Sequence, residues 1–142
     1  MTTPIQIIDK YEGIKFVKNG RDPNIGLDCW GLCLCIVEDI FGVTDLPDPQ
    51  YSILRLLRQK ISLIKQYDMA YWTTPVKGNL AFGDYIVINI RGITMHGGIY
   101  MEDNKFLHAV AGKGMLLADL NDWKKNVEGI YRLKKEHIKK ME

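Results

Sequence analysis

The sequence predicts an α+β fold, with N-terminal helices packed on a C-terminal antiparallel β-sheet. Three observations predict it. Up to about residue 78 the apolar residues recur at helical spacing. Beyond that point, short runs rich in β-branched and aromatic residues alternate with turn signals. Within the first stretch, Cys29 to Phe41 is apolar nearly all round, with Glu38 and Asp39 its only charges, the pattern of a helix buried at the centre of a domain. Helices first and strands after, without βαβ alternation, give a layered α+β arrangement.

Taken in order, Ile5 to Glu12 reads as a short first helix. Gly13 to Leu27 holds Gly20, Asp22-Pro23 and Gly26, and so reads as a loop. Asp28 is placed to cap a helix from Cys29 to Phe41, and Gly42 to end it. Asp45-Leu-Pro-Asp-Pro marks a turn, and Tyr51 to Gln66 a second amphipathic helix. Lys77-Gly78-Asn79 and Gly83-Asp84 open the β half. Strands are expected at Tyr85–Ile90, His96–Met101, Lys105–Val110, Met115–Leu117 and Val127–Leu133. Arg91-Gly92 reads as a turn, and Leu120–Lys125 as a short helix or loop.

With 142 residues the chain suits a single domain, residues 1–142, able to bury a core without disulfide or metal staples. A formal charge of +2 gives no footprint for nucleic acid, and the basic cluster at 134–142 reads as a solvated tail, His137 included. No run of eighteen apolar residues suggests a membrane span. Residues 1–10 lack the basic start and long apolar middle of a signal peptide, so a cytoplasmic site of synthesis is expected. The three cysteines, Cys29, Cys33 and Cys35, lie too close together for a disulfide framework and match no zinc spacing. Neither cofactor nor metal is expected.

Chemistry concentrates at Cys29. A cysteine at the first turn of a helix meets N–H groups and a dipole that favour thiolate over thiol and can serve an oxyanion. The same residue is equally at home as a small core hydrophobe, and its local pattern leaves both readings open. Two histidines tilt the balance. If the hairpin loop is Glu102-Asp103-Asn104, Gly98 faces His108, and His96 shares a face with Gly98. The two imidazoles are then diagonal neighbours, with Asn104 left-handed. One ring can take a thiol proton while the other holds it in place, the nucleophile, base and orienter logic of cysteine hydrolases. Two structural histidines remain the alternative. Gly97-Gly98 would allow a ligand backbone close approach.

Gly26-Leu-Asp-Cys-Trp-Gly-Leu32, Gly83-Asp84, His96-Gly-Gly-Ile-Tyr100 and Phe106-Leu-His-Ala109 together resemble the NlpC-type peptidoglycan endopeptidases, over about Gly13 to Arg132. Finer features resemble the branch found in bacteriophage tail tips: Trp30 where serine is commoner, Gly20-Arg-Asp-Pro23, Asp45-Leu-Pro-Asp48, Asp122-Trp123 and Gly129-Ile-Tyr-Arg132. The resemblance implies a papain-like core that cleaves the stem peptide of bacterial cell wall, typically next to γ-linked D-glutamate and the diamino acid. It implies Cys29 as nucleophile, His96 as base and His108 as its orienter. Asp28, Trp30, Phe16 and Gly97 are expected around the substrate or oxyanion. Phe16 stands where the family usually has a tyrosine, and Tyr11 lies five residues too early. The implied setting is a virion tail, with other tail-tip or hub proteins as partners. The competing expectations are a structural tail-hub subunit that has dispensed with catalysis, and a related thiol hydrolase or acyltransferase acting on lipids or amides.

Overall fold

The computed structural model describes residues 2–48, 69–90 and 93–140. The helix expected at Tyr51–Gln66 and the turn at Arg91-Gly92 lie outside the described residues.

Helix α1 spans Pro4–Tyr11 and starts one residue earlier than expected. Thr3 and Gln6 form a reciprocal capping box there, and proline suits the first turn because its missing N–H would have no helical partner. Inside the expected loop, Arg21–Asp22 (β1) and Gly26–Leu27 (β2) form a two-residue ribbon. Helix α2 spans Cys29–Phe41 and ends at Gly42, whose φ of 70° is a left-handed cap. Its residues Trp30, Leu32, Cys33, Ile36 and Val37 are buried.

After a short helix, Met69–Trp72 (α3), the chain builds a six-stranded sheet. The strands are Thr73–Pro75 (β3), Tyr85–Ile90 (β4), Ile93–Tyr100 (β5), Lys105–Val110 (β6), Gly114–Asp119 (β7) and Val127–Leu133 (β8). Their order is β3-β8-β4-β5-β6-β7, every neighbouring pair antiparallel. Strand β3 is not expected from the sequence, because it is only three residues long and ends in proline. At the sheet edge a missing N–H is tolerated. A 3₁₀ helix, Leu120–Asn126, is capped by Asp119, which accepts from the Asn121 N–H at 2.9 Å.

The sheet has two covered faces. Val87, Ile99, Leu107 and Ala109 join the core under α2, while Ile86, Ile88 and Phe106 form a second cluster under Leu120 and Trp123. At the start of β4, the buried Asp84 takes a two-pronged grip from Arg132 on β8 (2.9 Å to each oxygen) and accepts the Ala81 N–H at 2.8 Å. That contact explains the Gly83-Asp84 block, since Gly83 (φ 96°) turns the chain into the strand.

The C-terminal segment corrects an expectation. Residues 134–140 fold back rather than trail in solvent. The N–H groups of Lys139 and Lys140 both donate to the Phe41 carbonyl at the end of α2. His137 packs against both Tyr71 and Trp72, its ring tilted 42° to each with centroids 5.0 and 4.5 Å away, and its Nε2 lies 3.0 Å from the Tyr71 carbonyl. The negative end of α2 has open carbonyls to satisfy, which draws a basic segment back onto it.

Candidate active site

The hairpin register places the histidines. Gly98 pairs with His108, and Met101 N–H donates to the Lys105 carbonyl at 2.9 Å, as a loop over Glu102-Asp103-Asn104 requires. Asn104 is left-handed (φ 62°), and so is Asp103 (φ 52°), which gives the turn the double positive φ that matches strand twist. His96 and His108 consequently sit diagonally on one face, with His96 Nε2 2.8 Å from His108 Nδ1 and the rings near perpendicular.

The β5–β6 ladder runs from Tyr100↔Phe106 only to Gly98↔His108. Beyond it β5 stays with β4 as far as Ile93, and β6 with β7 as far as Val110. The two strands therefore fork, and the histidines stand at the crotch. A pocket of about 400 Å³ lies there, lined by Cys29 from α2 and His96 and His108 from the sheet. Phe16, Asp28 and Trp123 line it as well. Cys29 is 9 % exposed and His108 3 %.

Burial pushes His96 down to about 4, and the neighbouring His108 adds to that; burial alone brings His108 to about 4. Both rings are thus neutral at physiological pH, so one can donate to the other across their short contact. Trp123 packs against both, 5.2 Å from His108 and 6.2 Å from His96, and Phe106 backs His108 at 4.9 Å. This aromatic shell is the desolvating wall. Cys33, one turn beyond Cys29, is buried and its thiol is pushed up by burial, as a core residue's should be.

Asp28 fixes the approach to Cys29. It is 4 % exposed and accepts from Gly31 N–H (2.8 Å), Asn19 N–H (3.1 Å) and Arg21 Nη1 (2.7 Å). One carboxylate so ties the loop, the ribbon and the helix start together. Phe16 lines the pocket while its backbone bridges to Leu27. Tyr11 is elsewhere, its hydroxyl held by Asp39.

Two expected site residues lie off the pocket. Trp30 is buried, donates Nε1–H to the Pro47 carbonyl at 2.9 Å, and meets Tyr85 edge-on at 6.0 Å. One residue along a helix is a turn of about 100°, which carries its side chain away from the face Cys29 presents. Gly97 leaves no room for a ligand backbone: a side chain there would collide with the Tyr85 ring, and one at Gly98 with Phe106 and the Leu107 carbonyl. These glycines admit neighbouring aromatic rings instead. Conversely, Trp123 is a site residue that sequence reasoning does not find, since 27 residues separate it from His96 and only the fold of the 3₁₀ helix over the sheet unites them. Among the described residues no group of three or more His, Cys, Asp or Glu side chains is arranged to hold a metal ion.

A cysteine at the start of a buried helix, sharing a pocket with paired imidazoles from an antiparallel sheet, places the chain among papain-like α+β proteins. Over residues 13–132 it matches the NlpC/P60 family, and it belongs to that family. It is 27 % identical over 124 residues to the murein DD-endopeptidase MepS/murein LD-carboxypeptidase of Escherichia coli K12, covering 84 % of this chain and 57 % of that protein. It is 25 % identical over 133 residues to the γ-DL-glutamyl hydrolase of Bacillus subtilis 168, covering 90 % of this chain and 28 % of that one. The chain thus spans little more than half of the first relative and about a quarter of the second. Among solved structures, the NlpC/P60 domain of the peptidoglycan hydrolase SagA superposes with a TM-score of 0.61 at 18 % identity, over 92 % of this chain and 96 % of that one.

Proposed function

We propose that this chain is a cysteine peptidase that hydrolyses stem peptides of bacterial peptidoglycan. The observation that carries the reading is the His96–His108 pair, locked at 2.8 Å in the pocket that Cys29 lines. Cys29 is the nucleophile. His96 takes the thiol proton on Nδ1, which requires its other proton on Nε2, donated to His108 Nδ1; His108 then carries its own proton on Nε2. His108 is thus the orienter, and its neutrality is what lets it accept from an imidazolium. Attack of sulfur on the peptide carbonyl builds an oxyanion near the positive end of α2. The proton on His96 then passes to the leaving amine, and water, deprotonated by the same ring, releases the acyl group from sulfur. Relatives named for murein endopeptidase and γ-glutamyl hydrolase activity support the substrate class.

The setting we propose is a bacteriophage tail tip, where the enzyme opens the wall locally during DNA delivery, alongside other tail proteins. Support comes from tail-type blocks meeting one another: Arg21 Nε donates to Asp48 at 2.8 Å, and Trp30 Nε1 donates to the Pro47 carbonyl at 2.9 Å. A second reading, a tail-hub subunit without catalysis, draws on Phe16, which brings a ring but no hydroxyl to the pocket. Digestion of defined muropeptides, read by mass spectrometry, separates the two. The peptidase reading expects new peptide fragments with the wild type and none with a folded Cys29→Ala variant. Equal release by both, or by neither, removes it.

A further inference from the structure

The charges at the mouth of the pocket are one-sided. Lys18, on the loop before α2, and Lys113, on the turn between β6 and β7, both line the pocket, and both are exposed. Their two segments lie side by side, since Gly13 N–H donates to the Met115 carbonyl at 2.9 Å and Met115 N–H to the Ile14 carbonyl at 2.8 Å. The described ion pairs engage Lys10, Arg21, Lys105 and Arg132, not these two lysines. Asp28, the one carboxylate lining the pocket among the described residues, is buried and committed to Arg21 and two backbone N–H groups. The remaining wall is largely apolar, with Phe16, Ala109, Val110, Leu116 and Trp123. An apolar groove rimmed by two ammonium groups that no ion pair among the described residues engages repels cations and rewards a ligand with an anion at the mouth.

We infer that Lys18 and Lys113 select substrates with a free carboxylate close to the scissile bond. The inference rests on the peptidase reading and deepens it. In a stem peptide, linking D-glutamate through its γ-carboxyl leaves the α-carboxylate free, and amidation of that group abolishes its charge. The two forms differ by one charge at nearly constant shape, so the rim distinguishes them. Two solvent-exposed ion pairs give a preference of about five- to tenfold.

The test compares kcat/KM on two synthetic tetrapeptides, L-Ala-γ-D-Glu-diamino acid-D-Ala, with the α-carboxylate free or amidated. Wild type is expected to favour the free acid by about five- to tenfold at low salt, and less as salt screens the pairs. A Lys18→Gln/Lys113→Gln variant should bring the ratio near one. A Lys77→Gln/Lys135→Gln variant, with the same net charge but changed outside the pocket, should keep it. A wild-type ratio of one, a preference for the amide, or an unchanged ratio in the pocket variant overturns the inference. If wild type cleaves neither peptide, the peptidase reading fails, and calorimetry on the Cys29→Ala chain decides the rim's role. Tighter binding of the free acid that is lost with both lysines upholds selection; equal affinity or no binding overturns it.

Discussion

His96 and His108 do opposite work with the same side chain, and the difference is positional. In the proposed reaction His96 offers one ring nitrogen to its neighbour and keeps the other for the thiol, whereas His108, buried beneath Trp123 and Phe106, serves as a neutral acceptor. A carboxylate in that place would hold the imidazolium more tightly and make His96 a stronger base; a neutral imidazole orients it while supporting its protonation far less. The consequence is measurable. Because the free base persists down to about pH 4, the acid limb of kcat/KM should lie between about pH 4 and 5, well below the ordinary histidine midpoint of about 6.5. An acid limb centred at 6.5 would contradict a buried, His108-coupled base. The chemistry of this pair is legible in the sequence because register follows from loop length and strand period. What the sequence does not disclose is Trp123, whose contact with the rings depends on how residues 120–126 cross the sheet.

The start of α2 is set by Asp28 more than by helix propensity. Its carboxylate caps the helix at Gly31, closes the loop at Asn19 and pairs with Arg21, while Arg21 also reaches Asp48. Removing it leaves a capping site empty and a partly buried guanidinium without its nearest anion. Asp28→Ala should therefore cost about 2–4 kcal/mol in urea unfolding, and Asp28→Asn, which keeps the cap, about 1 kcal/mol. Equal losses would mean that the Arg21 pair contributes nothing. The cap itself is readable from the sequence, as are α2, β4, β6 and β8, because each has a complete local signature. Strand β3 and the returning 134–140 segment are not, since each is held by a distant partner, β8 and the carbonyl end of α2, and the β1–β2 ribbon is not because strands of two residues are too short to show a period.

At the scale of the whole molecule, the site and the fold share their histidines, so acid should weaken both. The folded-state value of His108 lies below that of an unfolded histidine, so the unfolded chain binds more protons between about pH 6.5 and 4. Stability is full above that window and declines as pH falls through it, by on the order of 3 kcal/mol from His108 alone. A His108→Gln variant should show a flatter decline over the same range in urea titrations, and a parallel decline would contradict a buried neutral ring. The broad layering was legible because buried α2 and the strand-rich second half carry different periodicities. The fork between β5 and β6 was not, because a ladder's end depends on which neighbour each strand follows. That fork is what lets a helix on one side of the sheet share a pocket with imidazoles on the other. The proposed chemistry depends on pairing between Cys29 and His96. The rate of Cys29 alkylation by iodoacetamide against pH, followed by mass spectrometry with Cys35 as internal reference, tests it most directly. Cys29 is expected to react at pH 6.5 at least about tenfold faster than Cys35, and His96→Gln to remove most of that advantage. Equal rates for the two thiols, or an advantage untouched by His96→Gln, would contradict it.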